Sequence, residues 1–159
     1  NKGLALFPRR IGGRFAALSR SDRESNSFAY SDRPFVWPSA VPCQQPVEAW
    51  EALQLGNCGS PIETEAGWLV LTHGVGPMRT YRIGAILLDL DDPTRIIGRL
   101  REPLLSPADD EQNGYVPNVV YSCGAMVHAD TLVPPYGIGD AAIGLAAVSL
   151  PLLLDALVR

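Results

Sequence analysis

Residues 60–75 read SPIETEAGWLVLTHGV, and this stretch decides the fold of the chain. β-branched and aromatic residues on both sides of a glycine-containing turn are typical of a β-hairpin. We predict two strands, at residues 61–64 and 68–72, joined by a tight turn. The second strand ends at His73, and Gly74 follows it. A histidine in that position is either a site residue or an ordinary strand-end residue.

The composition indicates one domain built from short strands. The chain has 159 residues, of which 47% are hydrophobic, 15 are glycine and 14 are proline. So many turn-forming residues favour short strands and tight turns over long helices. A net charge of −4 argues against nucleic acid as a partner, because neutralising phosphates requires a basic surface. No apolar run approaches the roughly 20 residues of a membrane span, so no membrane partner is expected.

The cysteines and the acidic loop predict neither a disulfide framework nor a metal site. Cys43, Cys58 and Cys123 are odd in number and widely spaced. Free thiols in a reducing compartment are the simplest interpretation, and we expect a cytoplasmic location. Residues 109–111, Asp-Asp-Glu, are interpreted as a solvated loop.

Further strands are predicted on both sides of the hairpin. Each is an apolar run bounded by glycine, proline or polar residues. The runs are residues 3–8, 14–19, 28–31, 35–37, 81–90, 95–100, 118–127, 131–136 and 141–150. Residues 38–46 are predicted to form a loop, 47–55 fit a short strand or a helical turn, and 151–159 fit a closing helical turn.

Three strands form an internal repeat, at residues 15–20, 68–73 and 131–136. Each follows a turn and precedes a loop and another apolar strand. Their spacing is slightly above the roughly 40–50 residues of a propeller blade, which predicts about three blades of a β-propeller. Equivalent strand ends of a propeller meet at one rim of the central channel. Arg20, His73 and Tyr136 are therefore expected to surround one pocket.

Three blades cannot close a propeller, which has roughly four to eight. The sequence also starts at Asn1 rather than at a methionine, with strand composition from Leu4 onwards. We therefore expect a fragment of a longer protein. Its exposed blade edges would pair with the rest of a longer chain or with another copy, as in a homo-oligomer.

Seven short motifs in a fixed order resemble a known family. They are Leu6-Phe7-Pro8, Gly12-Gly13-Arg14-Phe15 with Ser19-Arg20, Gly67-Trp68-Leu69, His73-Gly74-Val75, residues 87–93 (LLDLDDP), residues 116–120 (VPNVV) and residues 136–140 (YGIGD). Together the motifs resemble glycoside hydrolase family 130, the β-mannoside phosphorylases and related β-mannosidases. The resemblance implies that residues 1–159 are the C-terminal part of a single five-bladed β-propeller catalytic domain.

The resemblance also implies a reaction, the inverting phosphorolysis of a β-mannoside. Phosphate attacks the anomeric carbon, and an Asp protonates the leaving oxygen indirectly, through a sugar hydroxyl. Phosphate is already an anionic nucleophile, so groups that hold phosphate replace the base that would activate water. The family's acid lies in its N-terminal half and has no match here. We therefore expect no catalytic residue in this chain, no cofactor, and no activity from the chain alone.

The resemblance assigns binding roles to individual residues. The implied phosphate-binding residues are His73, Tyr81, Arg20 and Arg79. The implied substrate-binding residues are Asp140, Tyr136 and Gln54.

Two of these assignments depart from the family pattern or fit a simpler interpretation. Gln54 stands where many of the family's phosphorylases carry a lysine, and Arg79 could replace that missing charge. Asp140 follows a glycine and also fits an ordinary turn.

Three functions therefore remain open for the parent protein. They are phosphorolysis of mannosyl oligosaccharides, hydrolysis of the same bonds by water, and non-catalytic sugar binding or assembly. A cluster of positive charge at the pocket would favour the first of these.

Overall fold

A computed structural model describes residues 2–112 and 114–157 and shows a chain made almost entirely of strands. The first sheet is an antiparallel meander in which chain neighbours are also sheet neighbours. Its strands, in sheet order, are β1 (Lys2–Leu6), β2 (Phe15–Arg20), β3 (Asn26–Ser31) and β4 (Val41–Gln44). The all-β prediction is confirmed.

The second sheet contains the hairpin predicted at residues 60–75. Its strands are β5 (Gln54–Asn57), β6 (Ile62–Thr64), β7 (Gly67–Val75), β8 (Tyr81–Leu88) and β9 (Ile96–Arg99). The sheet order is β5-β7-β8-β9, and β6 pairs with the first part of β7. The predicted hairpin is therefore confirmed, with a second strand that continues past His73 to Val75.

The rest of the described chain forms two small sheets and one helix. The elements are β10 (Val120–Tyr121), β11 (Met126–His128), β12 (Thr131–Val133), β13 (Pro135–Ile138), β14 (Ala142–Leu145), β15 (Val148–Ser149) and α1 (Leu150–Leu157). The sheet orders are β10-β13-β14 and β11-β12-β15. The closing helix is confirmed as far as Leu157, and Val158 and Arg159 lie outside the described residues. In the described ranges no helix is long and apolar enough to cross a membrane.

Strand β7 is buried on both faces because an apolar core packs against each face. Successive side chains of a strand point to opposite faces, so Trp68 and Val70 enter one core while Leu69 and Leu71 enter the other. In the first core the Phe7 ring meets the Trp68 ring edge-on, with centroids 5.0 Å apart. The second core joins β7 and β8 to Leu132 of β12 and to helix α1. This burial holds the end of β7 rigidly.

Buried amides join the first two sheets at the end of β5. The Asn57 amide donates to the Gly3 carbonyl at 2.7 Å and to the Asn26 side-chain oxygen at 3.4 Å. Asn26 in turn donates to the Gln44 side chain at 2.7 Å. A satisfied buried polar network of this kind specifies one arrangement of the two sheets.

The fourth strand of the first sheet was predicted at the wrong place. Residues 35–37 form no strand, and Phe35 is exposed, whereas β4 lies inside the predicted loop 38–46. Proline is tolerated in β4 because this strand is at the sheet edge, where one row of N–H groups needs no partner. The buried Asn26–Gln44 pair, and not an apolar run, holds β4 in place.

The third repeat was predicted as long strands, and the structure divides those strands. Residues 118–127 turn at Ser122, whose hydroxyl oxygen lies 2.8 Å from the Gly124 carbonyl and 2.7 Å from the Pro135 carbonyl and can donate its proton to either. As a result β10 and β11 belong to different sheets. Residues 131–136 and 141–150 are divided between the same two sheets.

Candidate functional site

The centre of the candidate site is a pair of side chains. Arg20 is the last residue of β2, and His73 lies in the C-terminal part of β7. Arg20 Nη1 lies 3.4 Å from His73 Nε2. A guanidinium is always a donor, so Nε2 is the acceptor of this hydrogen bond. His73 is 1% exposed, whereas Arg20 is partly exposed. The predicted meeting of these two strand ends is therefore confirmed.

Gly56 makes this contact possible. It faces His73 across the β5–β7 pairing. A Cβ at position 56 would lie 2.5 Å from His73 Cε1 and would also overlap Arg20 Cδ. Real Cβ atoms do not approach other atoms so closely, so only glycine lets the Arg20 side chain cross β5 and reach the imidazole.

The imidazole is neutral at physiological pH. Burial lowers the pKa of His73 to about 4, and the nearby positive charge of Arg20 acts in the same direction. The backbone of Asn57 acts in the opposite direction but does not restore the pKa. The positive charge of the pair is therefore carried by Arg20, whose guanidinium donates to His73 Nε2 and, at 2.7 Å, to the Arg23 carbonyl.

Two tyrosine rings pack against His73. Tyr81, the first residue of β8, lies nearly parallel to the imidazole, with centroids 6.3 Å apart. Tyr121 of β10 is nearer, at 4.9 Å, with its ring tilted by 52°. Burial raises the pKa of the Tyr121 phenol, and Arg20 opposes that rise. The Tyr121 phenol is therefore an uncharged hydrogen-bonding group beside the Arg20–His73 pair.

Cys58 lies behind the imidazole, with its sulfur 3.9 Å from His73 Nδ1. Burial raises the pKa of this thiol to about 12, so it stays protonated and unreactive. All three cysteines are free thiols.

An open cavity of about 590 Å³ lies beside the two tyrosines. Its polar walls come from the ends of strands and from the loops between them. They are Arg79, Tyr81, Asn118, Tyr121 and Asp140. The structure thus gathers three residues that the sequence singled out, Arg79, Tyr81 and Asp140. The cavity offers a guanidinium, two phenols and an amide as hydrogen-bond donors, and Asp140 is the one carboxylate among its described walls.

Strained backbone is concentrated around this cavity. The non-glycine residues with positive φ in the described chain are Arg23, Met78, Arg79, Asn118, Ala129 and Asp140. Four of them line the cavity, with φ values of 58° for Met78, 55° for Arg79, 61° for Asn118 and 54° for Asp140. Such conformations persist only where surrounding structure enforces them, and they cluster at binding sites.

Tyr136 and Gln54 take other positions. The Tyr136 hydroxyl donates to Glu111 Oε1 at 3.3 Å, and its ring lies over Gly144. The repeat treated residues 131–136 as one strand that ends at Tyr136. In the structure these residues are divided between β12 and β13, which belong to different sheets, so Tyr136 does not lie at the end of β12. Gln54 pairs with Val75 at the start of β5, and the 590 Å³ cavity is lined by other residues.

Sequence reasoning missed Tyr121 and Asn118 as site residues. Asn118 belongs to the VPNVV motif, and Tyr121 follows it directly. The motif's apolar residues indicated a strand, and nothing in the local pattern distinguishes a phenol facing a cavity from one facing solvent.

Comparison with known proteins agrees with the motifs. The sequence model of glycoside hydrolase family 130, described as β-1,4-mannooligosaccharide phosphorylase, matches residues 2–159. The chain belongs to glycoside hydrolase family 130. It is 40% identical over 152 residues to a 1,2-β-oligomannan phosphorylase of Thermoanaerobacter sp. (strain X514), covering 94% of this chain and 51% of that protein. It is 34% identical over 167 residues to a β-1,4-mannooligosaccharide phosphorylase of Ruminococcus albus, covering 98% of this chain and 50% of that protein.

A solved structure shows the same fold. The β-1,2-mannobiose phosphorylase of Listeria innocua, in complex with β-1,2-mannobiose, superimposes with a TM-score of 0.89 at 33% identity. The alignment covers 98% of this chain and 46% of that one. The predicted fold class is confirmed: the sheets are blades of a five-bladed β-propeller of this family. The chain spans about half the length of the curated relatives it matches.

Proposed function

We propose that this chain forms one wall of the active site of an inverting β-mannoside phosphorylase. The observation that carries the proposal is the Arg20–His73 pair, packed against Tyr81 and Tyr121, whose side chains line a cavity with Arg79 and Asp140. A fixed cation next to phenol and amide donors suits an oxyanion. The carboxylate of Asp140, in the wall of the same cavity, suits the hydroxyl groups of a sugar.

In the proposed reaction, inorganic phosphate attacks the anomeric carbon of the mannosyl unit. The bond from this carbon to the leaving oxygen breaks, mannose 1-phosphate forms with inversion, and the leaving oxygen takes up a proton. Arg20 and Arg79 attract the phosphate, His73 keeps Arg20 in position, and Tyr81 donates a hydrogen bond. Asp140 orients the sugar by accepting hydrogen bonds from its hydroxyls. The proton donor is not one of these residues.

The cavity favours phosphorolysis over hydrolysis. Hydrolysis requires a base that activates water, whereas phosphate is already an anionic nucleophile and is held by cations. The Arg79 cation in the cavity wall supports the second of these reactions. Gln54 stands at the place of a family lysine, so that charge is absent. The cavity still has a cation, because Arg79 forms part of its wall.

The substrate is proposed to be a mannosyl oligosaccharide. The relatives named above act on β-1,2- and β-1,4-linked mannosides, as their names state. The chain therefore calls for tests with both linkages.

Calorimetric titration of the 159-residue chain tests the proposal. Inorganic phosphate and β-1,2- or β-1,4-mannobiose are added separately to the unmodified chain and to Arg20→Ala. We expect Arg20→Ala to weaken phosphate binding by about tenfold or more, because a charge-assisted hydrogen bond is lost. Arg101→Ala, which removes an exposed arginine, is the matched control and should bind like the unmodified chain. Binding of mannobiose without any binding of phosphate would instead favour hydrolysis.

A further inference from the structure

The phenol of Tyr121 is a polar group that no family motif explains. Its ring lies 4.9 Å from His73, and its side chain lines the 590 Å³ cavity with Arg79, Tyr81 and Asp140. The influences on its pKa include burial and nearby charges but no hydrogen bond from a described residue. Tyr121 is 41% exposed, so its hydroxyl is accessible to a ligand.

His73 cannot serve the cavity in the same way. Its Nε2 accepts a hydrogen bond from Arg20, which places the proton of the neutral ring on Nδ1. Nδ1 faces away from the cavity, towards the Cys58 sulfur at 3.9 Å and the backbone of Asn57. The imidazole therefore has no N–H to offer to a ligand in the cavity. The neighbouring aromatic groups with a hydroxyl to donate are Tyr81 and Tyr121, and the Tyr121 ring is the nearer of the two to His73.

We propose that the Tyr121 hydroxyl binds the phosphate directly, donating a hydrogen bond to the oxyanion that Arg20 attracts, while His73 acts as a positioning residue for Arg20. This inference rests on the proposed function. Phosphate, and not the sugar, is the assigned ligand because the Tyr121 ring lies 4.9 Å from the His73 ring, which is itself hydrogen-bonded to the Arg20 guanidinium. The carboxylate of Asp140 suits the hydroxyls of the sugar. Among the described residues, Tyr121 makes no hydrogen bond to Asp140.

A protonated phenol suits this role. Burial raises the pKa of Tyr121 above its usual value, so the hydroxyl keeps its proton throughout the neutral range. A hydrogen bond to a charged acceptor is about twice as strong as one between neutral groups. Two ligands of different kinds, a cation and a phenol, would then hold the attacking phosphate from adjacent sides.

Titration of inorganic phosphate into Tyr121→Phe is the test. Phenylalanine keeps the ring against His73 and removes only the hydroxyl, so we expect phosphate affinity to fall about tenfold. Tyr115→Phe, which removes the hydroxyl of an exposed tyrosine outside the cavity, is the matched control and should change nothing. Mannobiose affinity should be the same in Tyr121→Phe as in the unmodified chain.

The outcomes separate the two proposals. If Arg20→Ala weakens phosphate binding but Tyr121→Phe does not, the role of Tyr121 is refuted and the proposed function stands. If Tyr121→Phe weakens mannobiose binding instead of phosphate binding, the phenol is a sugar ligand and the assignment to phosphate is wrong. If the unmodified chain binds no phosphate, both proposals fail. The His73 ring signals in NMR spectra of Tyr121→Phe should keep their positions, which shows that the loss is not a structural change around the imidazole.

Discussion

Strands β7 and β14 have similar apolar character but opposite surroundings. All nine residues of β7 are buried, between one core on each face. In β14, Ile143 is 83% exposed and Leu145 is 72% exposed, and the strand lies at the edge of a three-stranded sheet. An apolar run thus identifies a strand, but the position of the strand in the sheets decides whether its side chains contribute to stability. The candidate site depends on the buried strand, because His73 of the Arg20–His73 pair belongs to β7.

The largest expected difference between the two strands is in stability. Trp68→Ala in β7 removes a fully buried ring that contacts Phe7, and should lower the free energy of unfolding by about 3–5 kcal/mol. Ile143→Ala in β14 should change it by less than about 0.5 kcal/mol, because the side chain is already in water. Urea denaturation of both variants measures the contrast. Equal losses would mean that β14 is covered in solution by another element or another copy of the chain.

The two histidines extend the comparison to pH. The pKa of His73 is lowered to about 4 in the folded chain, against about 6.5 when unfolded. The unfolded state therefore binds the extra proton between these values, so stability is complete above pH 6.5 and is lost as the pH falls towards 4. The shift corresponds to roughly 3 kcal/mol.

Urea midpoints at pH 7 and at pH 4.5 test this expectation. His73→Gln should reduce the loss on acidification, whereas His128→Gln, at an exposed position of β11, should leave it unchanged. If the loss is the same in all three proteins, it arises from carboxylates such as Asp22, whose pKa is lowered by its hydrogen bond from Ser25.

The smallest expected effect on stability concerns two glycines. Gly56→Ala forces apart Arg20 and His73 and should cost about 1–3 kcal/mol, with a severalfold loss of phosphate affinity. Gly137→Ala in β13 is the matched control, because its added methyl would approach the backbone carbonyl oxygen of Tyr121 no closer than 3.8 Å. Denaturation and phosphate titration measure both effects. Phosphate affinity that survives in Gly56→Ala would show that Arg20 binds phosphate without support from His73.

Prediction from sequence succeeded where one local pattern was enough. The hairpin, strands β8 and β9 that follow it and the closing helix were all found, because apolar periodicity and turn residues act over a few neighbouring positions. It failed at β4, which is held by the buried Asn26–Gln44 amide pair, and at residues 118–127, where the Ser122 hydroxyl turns the chain. Polar contacts of this kind leave no periodic pattern.

For the site, the comparison with the family singled out Arg79, Tyr81 and Asp140, which line one cavity in the structure, and the repeat placed Arg20 beside His73. The same repeat placed Tyr136 in this group, although its hydroxyl bonds Glu111. Tyr121 was missed because it reaches His73 from a separate sheet, β10-β13-β14.

The sequence by itself determined the all-β class, the central hairpin and the family, since these depend on residue types and their order. Only the tertiary structure decided the chemistry of the pocket. It buried His73, which keeps the imidazole neutral, and it brought Arg20 across Gly56 to meet it. Burial and contacts between distant strands set protonation and hydrogen bonding, and neither can be read from the residues next to His73 in the chain. The histidine in the C-terminal part of β7 thus becomes, in the folded chain, a hydrogen-bond partner of an arginine.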